Sequence, residues 1–420
     1  MKQAKVTMAV VTALTLSFAT PVQATNGMRM IGFGPVQNSM GGVGVGATLD
    51  AASILSNPAG MSELGGRVDF GATFFLPTVK YSATGTDTGQ PGPNPFVNQP
   101  GVTLESSRGG SPVPAFGLLI PIDDQWTFGI GAYGVAGMGV DYAANLYSST
   151  TFSSYSQMRF TPGVAYKLNK MFSFGATLNV MYASMEWNVA NQFGQVPHAT
   201  AGSFGLGGTV GVKVTPIDIL TIGAAFETTS FFQDFAFNTP QGLDKLTFNQ
   251  PCVVTVGASV KPIDMLLVAA DFEWINWPAT NGANKPAFSQ NASGAMPWDL
   301  NWSSQFVFKL GVQVTPLEWL AVRAGYNYGK NPLEALRAFE NIAFPAIAES
   351  HITLGAGFNI GKHVVLNVGG MYAPSTSLTG SNPNFPQGTP GYSGPYGQGI
   401  ASYTTTMTQV GIDAGIAYKF

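Results

Sequence analysis

The last twelve residues, QVGIDAGIAYKF, beat with a period of two. Val410, Ile412, Ala414, Ile416, Tyr418 and Phe420 share one face, while Gln409, Gly411, Asp413, Gly415, Ala417 and Lys419 share the other. A strand so divided separates an oily medium from a small or polar one, since successive side chains point to opposite sides of a sheet. The pattern returns at 204–215, where Phe204, Leu206, Val210, Val212 and Val214 oppose Thr209, Gly211, Lys213 and Thr215. It returns again at 306–315, where Phe306, Phe308, Leu310, Val312 and Val314 oppose Lys309, Gln313 and Thr315. Only 10% of the residues are charged, far below the roughly 25% of soluble domains, and the chain holds 52 glycines and 29 phenylalanines. Water is the wrong solvent for such a surface. No internal stretch supplies the ~18 uninterrupted apolar residues of a spanning helix, so a closed barrel is the way this chain enters a bilayer.

An internal repeat sets the rhythm. GVKVTPIDILTIGAAFE (211–227), GASVKPIDMLLVAADFE (257–273) and GVQVTPLEWLAVRAGYN (311–327) align without gaps, and GLLIPIDDQWTFGIGAYG (117–134) is a looser copy. Each reads as a hairpin, with Pro121, Pro216, Pro262 and Pro316 expected at the second position of a tight turn. Fourteen strands are predicted near 67–78, 112–121, 126–137, 153–167, 171–186, 202–215, 219–230, 249–261, 265–275, 304–315, 319–329, 350–360, 363–373 and 403–419. Six connections are tight turns and seven are long and rich in Gly, Pro, Asn and Ser, the asymmetry of an outer-membrane barrel. The expected class is thus all-β, a 14-stranded antiparallel transmembrane β-barrel.

Residues before the first strand divide in two. Lys2 and Lys5, the apolar run Val6–Ala19 and the Val22-Gln23-Ala24 end form a signal peptide over 1–24. Removing it leaves 17 basic against 22 acidic residues, which gives no reason to expect a nucleic-acid partner. Residues 25–66 do not alternate, and a fourteen-strand lumen is too wide for wall side chains to fill, so this stretch is expected to fold inside it as an N-terminal hatch, with 67–420 as the barrel. Asp50–Leu55 could form a short helix ended by Asn57-Pro58. Within the stretch, Gly42, Gly44 and Ala47 have the spacing of a dinucleotide-binding turn, but the preceding strand and the later acidic residue that motif needs are missing. Their expected use is close approach to the barrel wall.

The segment GFGPVQNSMGGVGVGATLDAASILSNPAGMSEL, with Asn57, Pro58 and Ala59 after a glycine run and with a terminal Phe420, resembles the hatch of the long-chain fatty acid and toluene transporter family of outer-membrane proteins. That family is also a fourteen-strand barrel. The resemblance implies uptake of fatty acids or hydrocarbons by capture at outer loops, binding in a lumen gated by the hatch, and sideways release into the membrane. It further implies contact with outer-membrane lipids and lipopolysaccharide, insertion by the barrel-assembly machinery and a monomeric state.

Residues can be assigned to these steps. Phe231, Phe232, Phe235 and Phe237, in a loop that an ordinary barrel would make polar, and Trp187, Val189 and Phe193 in the preceding loop match the family's outer groove; the alternative for the phenylalanines is an aromatic girdle or packing of the loop on the hatch. Met28, Met30, Ile31 and Phe33 match the mobile start of the hatch. Arg159, Lys213, Lys309 and Arg323 lie on lumen faces, where they could meet a carboxylate or pair with Asp69, Glu227, Asp271 or Glu273. The third strand, with Gly129, Gly131, Gly134, Gly137 and Gly139, matches the kinked strand through which the family releases cargo. A nonspecific porin, a barrel lipase and an adhesin are the rivals. The histidines are His198, His351 and His363, HExxH and GxSxG are absent, and no cofactor, nucleotide or metal motif is legible. Cys252, the sole cysteine, reads as a small apolar strand residue.

Overall fold

The computed structural model describes residues 26–85, 103–142, 151–188, 190–191, 194–195, 197–280, 287–294, 300–338, 341–380 and 400–420; the signal peptide expected over 1–24, Val189 and Phe193 lie outside the described residues. Fourteen strands make the wall: β1 (Arg67–Gly85), β2 (Ser111–Pro121), β3 (Trp126–Tyr142), β4 (Thr151–Lys167), β5 (Phe172–Asn188), β6 (His198–Ile217), β7 (Leu220–Glu227), β8 (Val253–Ile263), β9 (Leu266–Ile275), β10 (Gln305–Leu317), β11 (Leu320–Gly329), β12 (Ser350–Ile360), β13 (Val364–Gly380) and β14 (Ile400–Lys419). Each pairs antiparallel with the next, and β14 returns to β1 in a seam running from Arg67↔Lys419 to Gly85↔Ile400. The ring is closed. No wall strand is left with an edge to satisfy in hydrocarbon.

Polarity is inverted relative to a soluble domain. Ile412 is 55% exposed and its neighbour Asp413 only 2%; Phe308 is 44% exposed and Lys309 6%. The outward residues Phe70, Phe174, Leu206, Val256, Phe272, Val322, Leu354 and Val368 continue the apolar skin around the ring. A soluble protein would place these groups the other way round.

The hairpins close more tightly than the repeat suggests. Asp218-Ile219, Asp264-Met265 and Glu318-Trp319 are the two-residue turns, and Pro216, Pro262 and Pro316 lie inside the strands just before them. Pairing passes from Val214↔Ile222 to Ile217↔Leu220, from Val260↔Val268 to Ile263↔Leu266, and from Val314↔Val322 to Leu317↔Leu320. Each proline therefore belongs to a bulge in which two residues face one. Lacking an N–H, proline fits that irregular step of the ladder better than the turn expected for it. Pro121 is likewise the last residue of β2 rather than a turn residue. β1, β3 and β13 extend well past the predicted ends, to Gly85, Tyr142 and Gly380.

Replacing an outward residue near the middle of β14, Ile412→Arg, is expected to cost about 2–4 kcal/mol of folding stability in lipid vesicles, measured by denaturant titration. Unchanged stability would contradict a lipid-facing position.

Candidate functional site: the divided lumen

Residues 26–66 are mostly buried and bond to inward-facing groups of many strands. The first helix, α1 (Pro35–Asn38), sets its Pro35 ring against Gly71 of β1 and Gly415 of β14. Asn38 Nδ2 donates to Thr73 Oγ1 at 2.9 Å and Asp413 Oδ1 at 2.8 Å. Gly41 N donates to Thr353 Oγ1 at 3.0 Å. The second helix, α2 (Ser53–Ser56), begins later than the sequence suggested and leads through Asn57 into a 3-10 turn, Pro58–Glu63. Asn57 is fully buried: its Nδ2 donates to Val45 O at 3.0 Å and to Val212 O of β6 at 3.1 Å, while its Oδ1 accepts from Ala59 N. The Asn-Pro-Ala triplet thus ties the segment to itself and to the wall.

The glycine run does cradle an anion, and the anion belongs to the barrel. Gly44, Val45 and Gly46 aim their N–H groups at the Asp271 carboxylate of β9, at 2.8, 3.0 and 3.2 Å. Successive backbone N–H groups around an oxyanion form a nest, the device also used for phosphates. Gly41 and Gly42 have φ of +69° and +83°, and a Cβ on Gly42 would stand 1.9 Å from the Ile31 carbonyl oxygen. Wall glycines answer from the other side. Gly211, Gly257 and Gly311, the first residue of each aligned repeat, face Asn57, Gly46 and Met40 so closely that a Cβ on any of them would fall within about 3 Å of the segment.

Ion pairs lie around this contact. Arg29 Nη2 meets Glu227 Oε2 at 2.9 Å, and Arg159 bonds the other oxygen of the same carboxylate. Lys309 pairs with Glu273 at 3.0 Å, and Lys213 with Glu63 of the segment at 2.7 Å. Together with Asp271, the charges near Arg29 balance. Burial pushes the Asp50 carboxyl up to about 7, with Asp69 adding to the effect and Arg67 and Arg323 opposing it.

On the long-loop side the lumen is apolar. Tyr81, Val140, Tyr142, Tyr155, Met185 and Met407 line it from the strands, and Phe235, Phe237, Phe248 and Phe344 enter from the loops. Trp277 and Trp302 meet edge to face at 4.9 Å, and their indole N–H groups are held by Gln305 and Asn341. A three-stranded sheet of loop residues (235–239, 242–247 and 287–291) packs here. His198 ties it to the wall through Asp244 at 2.8 Å, under a stacked Trp187 ring 3.6 Å away. On the tight-turn side lies a polar cavity of about 480 Å³, roofed by Gly46–Leu49 and bordered by the turn residues Asp218, Ile219, Asp264 and Met265.

The expected site residues separate on this frame. Phe231 is 67% exposed, whereas Phe232, Phe235, Phe237 and Trp187 are buried, so a surface patch of four phenylalanines is replaced by one exposed ring above an aromatic core. Met28 joins the apolar core, while Met30 and Ile31 pack on Phe75, Val113 and Met371; Phe33 is half-buried. Arg159 sits in the ionic layer, and Arg323 lines the tight-turn cavity, so the two do not share a pocket. In β3 the pairing with β4 shifts between Gly134 and Ala136. At that step Met30 N donates to Val135 O at 3.1 Å and Gly137 N to Met28 O at 3.0 Å. Gly129 and Gly131 face Met61 and Ile54 of the segment instead. The sequence places Asp271 on a lumen face only as a partner for the cations, and Asp50 only at the start of a short helix; the nest around the first and the burial of the second depend on contacts far along the chain.

The fold and the divided lumen define an outer-membrane transport barrel. The chain belongs to the outer membrane protein transport protein family (OMPP1/FadL/TodX), whose model matches residues 34–420. It is similar to the crystal structure of a Pseudomonas aeruginosa FadL homologue, with 15% identity, TM-score 0.77 and coverage of 94% of this chain and 100% of that one. The P. putida toluene transporter TodX gives 16% identity, TM-score 0.71 and coverage of 93% and 99%. The Ralstonia pickettii toluene transporter TbuX gives 18% identity, TM-score 0.67 and the same coverage. At such identities the likeness establishes the fold. No curated protein matches the sequence.

Asp50 supplies a pH test. Its carboxyl binds a proton more tightly in the fold than in the open chain, so the stability linked to it is complete below about pH 4 and lost as pH rises through about 7. Hydrogen-exchange protection of residues 49–56, corrected for intrinsic rates, is expected to fall about tenfold or more between pH 5 and 8, and to stay level in Asp50→Asn. Equal profiles would contradict this coupling.

Proposed function

We propose that this protein carries hydrophobic small molecules passively across the outer membrane, with residues 25–66 acting as the hatch. The observation that carries the reading is the apolar, aromatic cluster packed beneath the long loops, underlain by a segment bonded to the wall through polar contacts; cargo enters by displacing part of that cluster, and the compartment is the space so opened. Cargo meets Phe231 at the loop surface and passes between Phe235, Phe237 and Trp187 into the compartment. Burying a monoaromatic ring there rests on the transfer of apolar area from water. Polar hatch contacts do not grip an oily molecule, which leaves cargo free to move on.

Release is lateral in this proposal, through β3. Its ladder is irregular at Val135, and the start of the hatch, Met28–Met30, bonds to the strand at that step. Displacing these few residues would expose Gly134 and its neighbours to the compartment. The movement needs no energy source beyond the concentration gradient.

Cargo chemistry follows from the charge balance. Arg159, Lys213 and Lys309 already have glutamate partners, which favours uncharged hydrocarbons over fatty carboxylates. Related channels named for toluene and monoaromatic hydrocarbons agree with this choice. A nonspecific porin is disfavoured by the crowded lumen.

Growth of a deletion strain, with and without the gene restored, decides between cargoes. Rescue on an aromatic hydrocarbon as sole carbon source is expected; rescue on oleate alone would overturn the cargo assignment. Asp271→Ala removes the acceptor from the nest, and exchange of the Gly44–Gly46 amides is expected to accelerate about tenfold to a hundredfold. Exchange at the wild-type rate would remove Asp271 from the gate.

A further inference from the structure

The cavity at the tight-turn end has no part in the uptake path, because residues 46–49 roof it. Most of its cations are spoken for. Lys213 pairs with Glu63 at 2.7 Å, Lys261 with Asp264 at 3.6 Å, and Arg67 with Asp69 at 2.9 Å. Arg323 differs. It is 7% exposed, and among the described residues no carboxylate lies within ion-pairing distance of it. Asp50 attracts it from beyond that range.

Instead, two neutral amides hold the guanidinium in place. Nε donates to Gln313 Oε1 at 2.8 Å and Nη1 to Asn367 Oδ1 at 3.0 Å, so the guanidinium is held at two of its nitrogens, and among the described residues no acceptor is bonded to Nη2. The neighbouring strand is glycine where the guanidinium lies: a Cβ on Gly357 would stand 2.9 Å from Arg323 Nη2, 3.1 Å from Nη1 and 2.9 Å from Asn367 Oδ1, so Gly357 leaves room for the held guanidinium at the cavity wall. Lys419, exposed on the adjoining rim, adds a second cation without a carboxylate partner among the described residues; Asp218, across the cavity, is the exposed acid that opposes them. A buried, preoriented guanidinium facing open volume is a donor waiting for an acceptor.

We propose that this vestibule binds a small oxyanion from the tight-turn side, with Arg323 as the anchoring donor, Gln313 and Asn367 as its positioning residues and Lys419 at the rim. Phosphate and carboxylate share the required chemistry: a charged oxygen that accepts from Nη2 and leaves its other oxygens to water in a cavity of about 480 Å³. The site stands apart from hydrophobic uptake, whose assays neither require nor test it.

The test uses the full-length barrel folded in detergent, with inorganic phosphate in one arm, acetate in a second and chloride as the background ion, followed by titration calorimetry and ³¹P line broadening. Saturable binding in the millimolar range is expected for the wild type in at least one arm, and the arm that saturates names the oxyanion. Arg323→Gln is expected to weaken it about tenfold or more. Gly357→Ala, whose methyl group presses on Nη1, Nη2 and Asn367 Oδ1 and so shifts the held guanidinium, should also weaken it, while Lys261→Gln leaves it within about twofold. Heat-modifiable migration on gels verifies that each variant is folded. No saturation in either arm, or equal binding in Arg323→Gln and the wild type, would overturn the site.

Discussion

Everything in this molecule follows from the need to satisfy every backbone hydrogen bond inside hydrocarbon. An open sheet would leave two rows of N–H and C=O groups facing lipid, each costing several kcal/mol. The pairing of β14 with β1 removes them, in one unbroken register from Arg67↔Lys419 to Thr84↔Ser402. Closure then fixes the side chains: residues on one phase of the two-residue period face lipid, and those on the other face a lumen of their own making.

That lumen is too wide to be filled from the wall, and the N-terminal segment is what meets it. Apolar chains such as Met28, Ile31, Ile54 and Met61 pack on the wall, and backbone and small residues make the polar part of the contact. Glycines on the segment approach glycines on the wall, and the Asp271 carboxylate enters a nest of three N–H groups. The polar contacts of this kind add specificity to the apolar ones. Removing one partner leaves a buried charge or donors unmatched, which makes the closed arrangement sharply defined. The same layer separates a packed apolar cluster under the long loops from a polar cavity at the tight-turn end.

The wall was largely legible from the chain. Strand number, order and the tight-turn ends follow from a period-two pattern and a gapless repeat, because lipid on one side and small residues on the other impose a strict local signal. The prolines were misplaced by a few residues, since local turn chemistry does not reveal a bulge that depends on the partner strand's register. The lumen was harder. Phe235 and Phe237 look like exposed loop residues until the loops fold over the compartment, and Arg159 and Arg323 look equivalent until one meets Glu227 and the other an empty volume. Even the glycine run carried a true signal for anion binding with the wrong anion, because Asp271 lies 225 residues or more away along the chain.

The segment sits against the inner wall at β12 and β13, where Ser39 meets Gly355 and Gly369. A Cβ built on Gly369 would stand 3.3 Å from the Ser39 Cβ, close to the separation a disulfide needs. In a Cys252→Ala background, Ser39→Cys combined with Gly369→Cys is expected to oxidise to an intramolecular disulfide in the folded, membrane-inserted protein. Two thiols that remain fully open to alkylation under oxidising conditions would contradict the placement of the segment within the ring.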